Sequence, residues 1–221
     1  PLSAYTESIR AIYTSLLLSD VDNPPRIVLV TSSLPQEGKS TLALSLATFA
    51  ARSEQRVLLM DLDLRHPSVH RDFGTVPEVG FVEYMAGEKK LDEVVMRDSD
   101  AGLDYLPVKR QTANPTDLLS SRKMTQLLKE LRHRYDFVVI DSAPLLGVTD
   151  SKVIARLVDK VIFVTQWEKT PTETAQNGLA NLREVNANIA GSVLTQVDVK
   201  KHAYYGYGDV GQYYGKYQKY Y

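Results

Sequence analysis

The sequence predicts an α/β fold in which a mostly parallel sheet carries helices on both faces. Apolar runs of strand length alternate with segments whose apolar residues recur at helical spacing. Two of these runs end in aspartates, as expected where the carboxyl ends of buried parallel strands carry a ligand site. At 221 residues the chain has the length of one such domain.

Composition narrows the function classes. The net charge of −1 gives no general case for a nucleic-acid partner, and the absence of cysteine excludes disulfides and cysteine metal sites. No apolar run approaches the length of a membrane span, and no signal peptide is recognisable. Because the chain begins with Pro1 and not methionine, we expect it to be a fragment or a processed form.

The first predicted element is an amphipathic helix over residues 4–19. Glu7 and Arg10 lie on its polar side, and residues 20–25 predict a turn that contains two prolines. Its apolar face is formed by Tyr5, Ile9, Ile12, Tyr13, Leu16 and Leu17.

A phosphate-binding loop is predicted between a strand at 27–30 and a helix at 42–51. Free amides and the helix dipole attract anions there, and Gly38 lets the backbone approach phosphates. Lys39 is expected to contact the β- and γ-phosphates and Ser40 to bind magnesium. The predicted nucleotide-binding residues are Pro35, Gln36, Glu37, Gly38, Lys39, Ser40 and Thr41.

The loop departs from the usual pattern at one position. A glycine normally stands five residues before the Gly-Lys-Ser triplet, and this chain has Ser33 there. The alternative interpretation is an ordinary strand-to-helix turn. The apolar strand before the loop and the helix after it favour a nucleotide site.

Three aspartates are predicted to lie near this loop. Asp61 and Asp63 follow the strand that begins at Val57, and Asp141 follows the strand that begins at Phe137. Two carboxylates at i and i+2 point to the same side, and burying them is costly unless a cation compensates. A magnesium nucleotide would supply that cation. The alternative is a strand that ends in two solvated acids.

The other elements are predicted more coarsely. His66 and His70 have the spacing of metal ligands on a helix, but Pro67 and the lack of a third ligand favour ordinary surface or core residues. The basic residues of the helix at 123–134 are interpreted as a solvated face. Helices are predicted at 81–85, 91–96, 114–120, 123–134, from 150, and at 171–185, and strands at 103–108, 160–165 and 189–196.

A composition change near residue 200 separates a domain at 1–199 from a flexible tail at 200–221. Eight of the 13 tyrosines lie in the last 18 residues, between glycines and two lysines. They are Tyr204, Tyr205, Tyr207, Tyr213, Tyr214, Tyr217, Tyr220 and Tyr221. The alternative is a low-complexity segment that stacks on bases or on itself.

Three motifs together with the tyrosine cluster resemble the bacterial tyrosine kinases (BY-kinases). These are cytoplasmic domains of membrane proteins that control the chain length and export of exopolysaccharide or capsule. The double-aspartate motif is the specific one among them. The motifs are Pro35-x-x-Gly38-Lys39-Ser40, Asp61-x-Asp63-x-Arg65 and the apolar run into Asp141-x-x-Pro144.

The resemblance implies a protein-tyrosine autokinase that uses ATP and Mg²⁺ and modifies the tail tyrosines of other copies. Lys39 would hold the phosphates, and Ser40 with the three aspartates would hold the metal and its waters. Asp61 or Asp63 would receive the tyrosine proton. Since tyrosine has a pKa near 10 and a carboxylate near 4, this acid would orient the hydroxyl and accept the proton late.

The resemblance also implies partners. Glu7 and Arg10 belong to a motif for assembly of copies into a ring, although Tyr13 replaces its second arginine. A transmembrane chain-length or activator domain, fused upstream or separate, and a protein-tyrosine phosphatase are expected. The missing methionine favours fusion. The expected location is the cytoplasmic side of the bacterial inner membrane.

Two other functions remain open. A partitioning or septum-positioning ATPase would be a dimerising switch, but such proteins carry a second lysine where this chain has Leu34. The second alternative function is a non-catalytic interaction domain with a degenerate phosphate loop. Related ATPases read adenine with an asparagine where this chain has Thr195, so the adenine contacts stay unassigned.

Overall fold

One seven-stranded sheet organises the residues that the computed structural model describes, 3–198 and 201. The strands are β1 (Ile27–Ser32), β2 (Val57–Leu62), β3 (Met96–Asp98), β4 (Leu103–Leu106), β5 (Phe137–Ser142), β6 (Lys160–Gln166) and β7 (Ile189–Thr195). The helices are α1 (Ala4–Leu18), α2 (Lys39–Ala51), α3 (Val69–Asp72), α4 (Phe81–Ala86), α5 (Leu91–Val94), α6 (Pro115–Leu119), α7 (Arg122–Arg134), α8 (Asp150–Ala155) and α9 (Thr172–Glu184).

The strand order is β3-β4-β2-β5-β1-β6-β7, and every neighbouring pair is parallel except β3 and β4. The prediction of a mostly parallel α/β sheet is therefore confirmed. Strand β5 lies between β1 and β2, with Asp141 in register with Val30 on one side and Asp61 on the other. This register brings the carboxyl ends of the three strands together at one edge of the sheet.

Apolar side chains fill both faces of the sheet, so helices pack on both, as predicted. Along β1, Val28 and Val30 face α1 and α2, while Ile27 and Leu29 face the layer that contains α7 and α8. All four are fully buried, which explains why parallel strands read as continuous apolar runs. None of the described helices is long and apolar enough to cross a membrane.

One predicted helix is wrong at its carboxyl end. The helix expected over 91–96 ends at Val94, Val95 is extended, and Met96–Asp98 forms the antiparallel edge strand β3. The β-branched Val95 favours extended backbone, and β4 offers the hydrogen-bonding partner that a local helical pattern cannot reveal. Arg97 and Asp104 form an ion pair of 2.9 Å across the two strands.

Ser33 fits the phosphate loop because the neighbouring helix carries a glycine. The backbone of Ser33 does not have positive φ, and its hydroxyl donates to the Thr174 carbonyl of α9 at 3.0 Å. A Cβ atom on Gly178 would lie 2.2 Å from Ser33 Oγ and 2.9 Å from the Phe163 ring. The loop and α9 therefore pack more closely than any larger residue at 178 would allow.

We expect Gly178→Ala to lower the free energy of unfolding by about 1–3 kcal/mol, because the added methyl group overpacks this contact. Urea unfolding would measure the change. The matched control is Gly191→Ala, where the new methyl group meets nothing within 4 Å and stability should stay the same or rise slightly. Equal stability of the two variants would contradict the prediction.

Candidate nucleotide site

The loop between β1 and α2 has the backbone shape of an anion cradle. Gln36 and Gly38 both have left-handed backbone, with φ of 66° and 89°. Left-handed residues in such a turn direct successive amides to one side, and the first amides of α2 have no helical acceptor. Pro35, Gln36 and Thr41 are exposed here, whereas Gly38, Lys39 and Ser40 are half-buried.

Glu37 is the exception among the predicted loop residues, because its side chain is buried. One carboxylate oxygen accepts the Leu34 amide at 2.6 Å, and the other accepts the Thr170 hydroxyl. The carboxylate therefore stabilises the loop from within. Only the backbone of Glu37 is left to face an anion.

Lys39 is held beside the second aspartate of the double-aspartate motif. Its Nζ lies 3.5 Å from Asp63 Oδ2 and 3.5 Å from Ser40 Oγ. The Lys39 and Asp63 side chains are only 12% and 5% exposed, so each charge compensates the other away from water. The other Asp63 oxygen accepts the His66 amide at 2.9 Å.

Asp61 accepts three backbone hydrogen bonds. Its Oδ2 accepts the amides of Ser68 and Val69 at 2.8 and 3.0 Å, and its Oδ1 accepts the Asp63 amide at 3.2 Å. Burial, and then the negative charge of Asp141, raise the pKa of Asp61 to about 7, although the three amides favour the charged form. Its carboxylate fixes the loop that follows β2.

Asp141 is the one of the three predicted acids whose oxygens are uncommitted. It is fully buried, and neither oxygen has a hydrogen-bond partner among the described residues. Burial raises the pKa of Asp141 to about 6, while the Lys39 charge lowers it. The Ser40 hydroxyl also favours the charged form without meeting hydrogen-bond geometry.

These residues fit a magnesium ion. Mg²⁺ prefers oxygen ligands and is usually held by one or two carboxylates together with phosphates and waters. The free Asp141 oxygens and the Ser40 hydroxyl could bind the ion directly, whereas Asp61 and Asp63 would reach its waters. Within residues 3–198 and 201, no group of three histidine, aspartate or glutamate side chains could hold a metal by itself. Phosphate oxygens must therefore complete the site.

One ion pair beside the site escaped sequence reasoning. Arg65 Nε donates to Asp150 Oδ2 at 2.7 Å, and the Thr116 hydroxyl donates to Asp150 Oδ1 at 2.7 Å. Asp150 is almost fully buried at the start of α8. Both charged residues belong to segments that the sequence singled out, but no local pattern pairs residues 85 positions apart.

A mostly apolar cavity of about 700 Å³ adjoins the loop, and the sequence did not predict it. It lies between α1, the start of α2 and the end of β7. Gly38 and Thr41 connect it to the phosphate loop. Tyr5 and Leu194, two exposed large apolar residues, border its mouth, and the Tyr5 hydroxyl is hydrogen-bonded to Ser45 Oγ at 2.6 Å.

Helix α1 presents the predicted assembly residues at the surface, where Glu7 and Arg10 form an ion pair of 3.1 Å. Tyr13 is buried, packs edge-on against Phe49 and Phe137, and donates to Gln55 Oε1 at 2.7 Å. The residue that replaces the motif's second arginine is therefore part of the core. The eight tail tyrosines lie outside the described residues.

Comparison with known proteins gives a consistent family. The model of the AAA_31 family, described as "AAA domain", matches residues 27–207. Tyrosine-protein kinase YwqD of Bacillus subtilis is 33% identical over 94% of this chain and 87% of its own length. The solved kinase domain of Escherichia coli tyrosine kinase ETK is 30% identical, with a TM-score of 0.81 over 87% of this chain and 77% of that one.

The chain spans only a part of other relatives. The succinoglycan biosynthesis transport protein ExoP of Rhizobium meliloti is 30% identical over the whole of this chain, which corresponds to 29% of its length. Solved structures of septum-site ATPases from Pyrococcus species are 22% identical with TM-scores of 0.65 and 0.66, and this likeness shows the fold alone. The relatives at 30% identity or above therefore outweigh the partitioning alternative.

We expect Asp141→Asn to stabilise the protein at neutral pH in the absence of nucleotide. Because the folded pKa of Asp141 is raised, its ionisation lowers stability as pH rises from about 4 through about 6. Urea unfolding should show a gain of about 1–3 kcal/mol at pH 8 that vanishes near pH 4.

The control for this prediction is Asp136→Asn, whose charge acts in the opposite direction. A hydrogen bond from Arg56 lowers the pKa of exposed Asp136 to about 2, so removing its charge should leave stability unchanged or reduce it slightly at pH 8. A loss of stability in Asp141→Asn at pH 8 would mean that its carboxylate is compensated after all.

Proposed function

This chain belongs to the family of bacterial tyrosine-protein kinases, and from that premise we propose that it transfers the γ-phosphoryl group of ATP to tyrosine. The observation that carries the proposal is the buried, unpartnered carboxylate of Asp141 beside Lys39, Ser40 and the phosphate loop. A free buried acid next to an anion cradle is a suitable place for a metal-bound phosphate.

The loop residues divide the work of binding. Amides of residues 36–41 bind the phosphates, and Lys39 exchanges its contact with Asp63 for a contact with phosphate oxygens. Ser40 and Asp141 would hold Mg²⁺, and Asp61 and Asp63 would reach its waters. Such an ion would supply neutralisation of the phosphate charge. Glu37 keeps the loop in shape through Leu34 and Thr170.

Asp63 is the better candidate for the acceptor of the tyrosine proton. Both Asp61 oxygens already accept backbone amides, whereas Asp63 Oδ2 is paired with the charge of Lys39 at 3.5 Å. Once Lys39 turns to phosphate, that oxygen is free to orient a tyrosine hydroxyl. Since a carboxylate is a far weaker base than a tyrosinate, proton transfer follows bond formation to phosphorus and does not precede it.

The nucleoside is proposed to occupy the cavity between α1, α2 and β7. Gly38 and Thr41 connect this cavity to the phosphate loop, and its mostly apolar wall suits the faces of a base. Tyr5 at the mouth offers an aromatic ring for stacking. Helix α1 would thereby serve nucleotide binding as well as assembly.

The wider role follows from the same family and stays a proposal. The acceptors are the tail tyrosines Tyr204 to Tyr221 of another copy, and the copies assemble through Glu7 and Arg10. A transmembrane chain-length domain, fused upstream or separate, keeps the kinase at the cytoplasmic side of the inner membrane. A protein-tyrosine phosphatase reverses the modification. The modification regulates exopolysaccharide or capsule export.

We expect incubation with Mg-ATP to place phosphate on the tail tyrosines, as mapped by mass spectrometry. Lys39→Met should lower this modification by about a hundredfold or more, because the loop loses its only positive side chain. Thermal unfolding of the variant checks that it still folds. ATP hydrolysis without tyrosine modification would instead favour the switch ATPase, and an absence of nucleotide binding would favour the interaction domain.

The nucleoside position has its own test. Ser8 lines the cavity from α1, so we expect Ser8→Trp to fill it and weaken Mg-ATP binding by about tenfold or more. Binding of Mg-tripolyphosphate, which has no base, should be unchanged. Calorimetric titration would compare both ligands, with Ser15→Trp on the same helix but outside the cavity as control. An equal loss for both ligands would contradict this position.

A further inference from the structure

The carboxyl end of β7 holds two consecutive carbonyl groups of the phosphate loop. The Thr195 hydroxyl donates to the Glu37 carbonyl at 2.6 Å, and Gln196 Nε2 donates to the Gln36 carbonyl at 3.1 Å. The loop residues lie about 160 positions earlier in the chain, so the fold creates this contact. Thr195 also lies close to Gly38, since a Cβ atom added to that glycine would be 3.3 Å from Thr195 Oγ1.

Planar trans peptides give these contacts a consequence for the amides. In a trans peptide the carbonyl of one residue points opposite to the amide of the next. The described chain contains no cis peptide bond. Holding the carbonyls of Gln36 and Glu37 towards β7 therefore turns the amides of Glu37 and Gly38 away from β7, into the bend that would receive phosphate.

The two contacting glutamines also share an unfavourable backbone conformation. Gln36 has φ of 66° and Gln196 has φ of 54°, and left-handed backbone is disfavoured for residues other than glycine. Such conformations persist where the surroundings impose them. Here Gln166 Nε2 donates to Gln196 Oε1 at 2.7 Å, which leaves the Gln196 amino group to face the loop.

We propose that Thr195 and Gln196 are positioning residues for the nucleotide phosphates. Their hydrogen bonds fix the orientation of the Gln36 and Glu37 carbonyls. The amides of the loop are therefore already oriented toward the phosphate position before the nucleotide binds. The proposal rests on the proposed ATP site and deepens it. It also gives Thr195 a role different from reading the base, because its one hydroxyl proton faces the Glu37 carbonyl at 2.6 Å, with the Thr165 carbonyl at 3.2 Å as a second acceptor.

Direct binding measurements test this role without relying on catalysis. Calorimetric titration with Mg-ADP should give a dissociation constant about tenfold higher for Thr195→Val, which leaves the Glu37 carbonyl without its donor. Gln196→Ala should raise it about threefold, since this bond is exposed to solvent. Thr195→Ser keeps the hydroxyl and should restore binding to within about twofold of wild type.

A second ligand separates this role from a change in the nucleoside cavity, which Thr195 also lines. Thr195→Val should weaken Mg-tripolyphosphate to the same extent as Mg-ADP, whereas a cavity effect would spare the ligand without a base. In kinase assays KM for ATP should rise with little change in kcat.

Three further outcomes overturn the proposal. Equal affinities of wild type and Thr195→Val for Mg-ADP would overturn it alone and leave the ATP site intact. Failure of the wild-type protein to bind Mg-ADP would overturn the proposed function and this inference together. A loss in Thr195→Val that Thr195→Ser does not restore would assign the effect to packing and also reject the positioning role.

Discussion

The burial of three aspartates close together is the constraint on which the candidate site depends. Asp61 and Asp141 stand side by side in register on adjacent buried strands, and Asp63 follows two residues later. Three backbone amides donate to Asp61 and Lys39 pairs with Asp63, although burial and the charge of Asp141 still raise the pKa of Asp61 to about 7. The two Asp141 oxygens have no hydrogen-bond partner among the described residues, so a divalent ion would supply the contact that this buried carboxylate lacks.

This uneven compensation separates the roles of three residues that look alike in the sequence. Asp61 accepts amides of the loop after β2, and Asp63 forms an ion pair with Lys39. Asp141 is available to a metal. In the phosphate loop, likewise, the Glu37 carboxylate is hydrogen-bonded within the loop, so that only the backbone of this residue can contact an anion.

Local patterns in the sequence predicted the parallel strands, the loop and the three acids, because each depends on a few neighbouring residues. The edge strand Met96–Asp98 was missed since its stability comes from pairing with β4. The contacts between Arg65 and Asp150, and between Thr195 and Glu37, join residues 85 and 158 positions apart. The cavity beside α1 was missed for the same reason, since three distant elements form its wall. How the ligand site is supported is therefore a property of the fold.

The contact between Ser33 and Gly178 has a consequence for how this loop can vary. A glycine in the loop would remove one of the two contacts that a larger residue at 178 would meet, the Ser33 hydroxyl, and would leave the Phe163 ring. We therefore expect residues 33 and 178 to vary together among related sequences. The small residue at 178 on α9 in this way accommodates the serine that replaces the usual glycine of the loop.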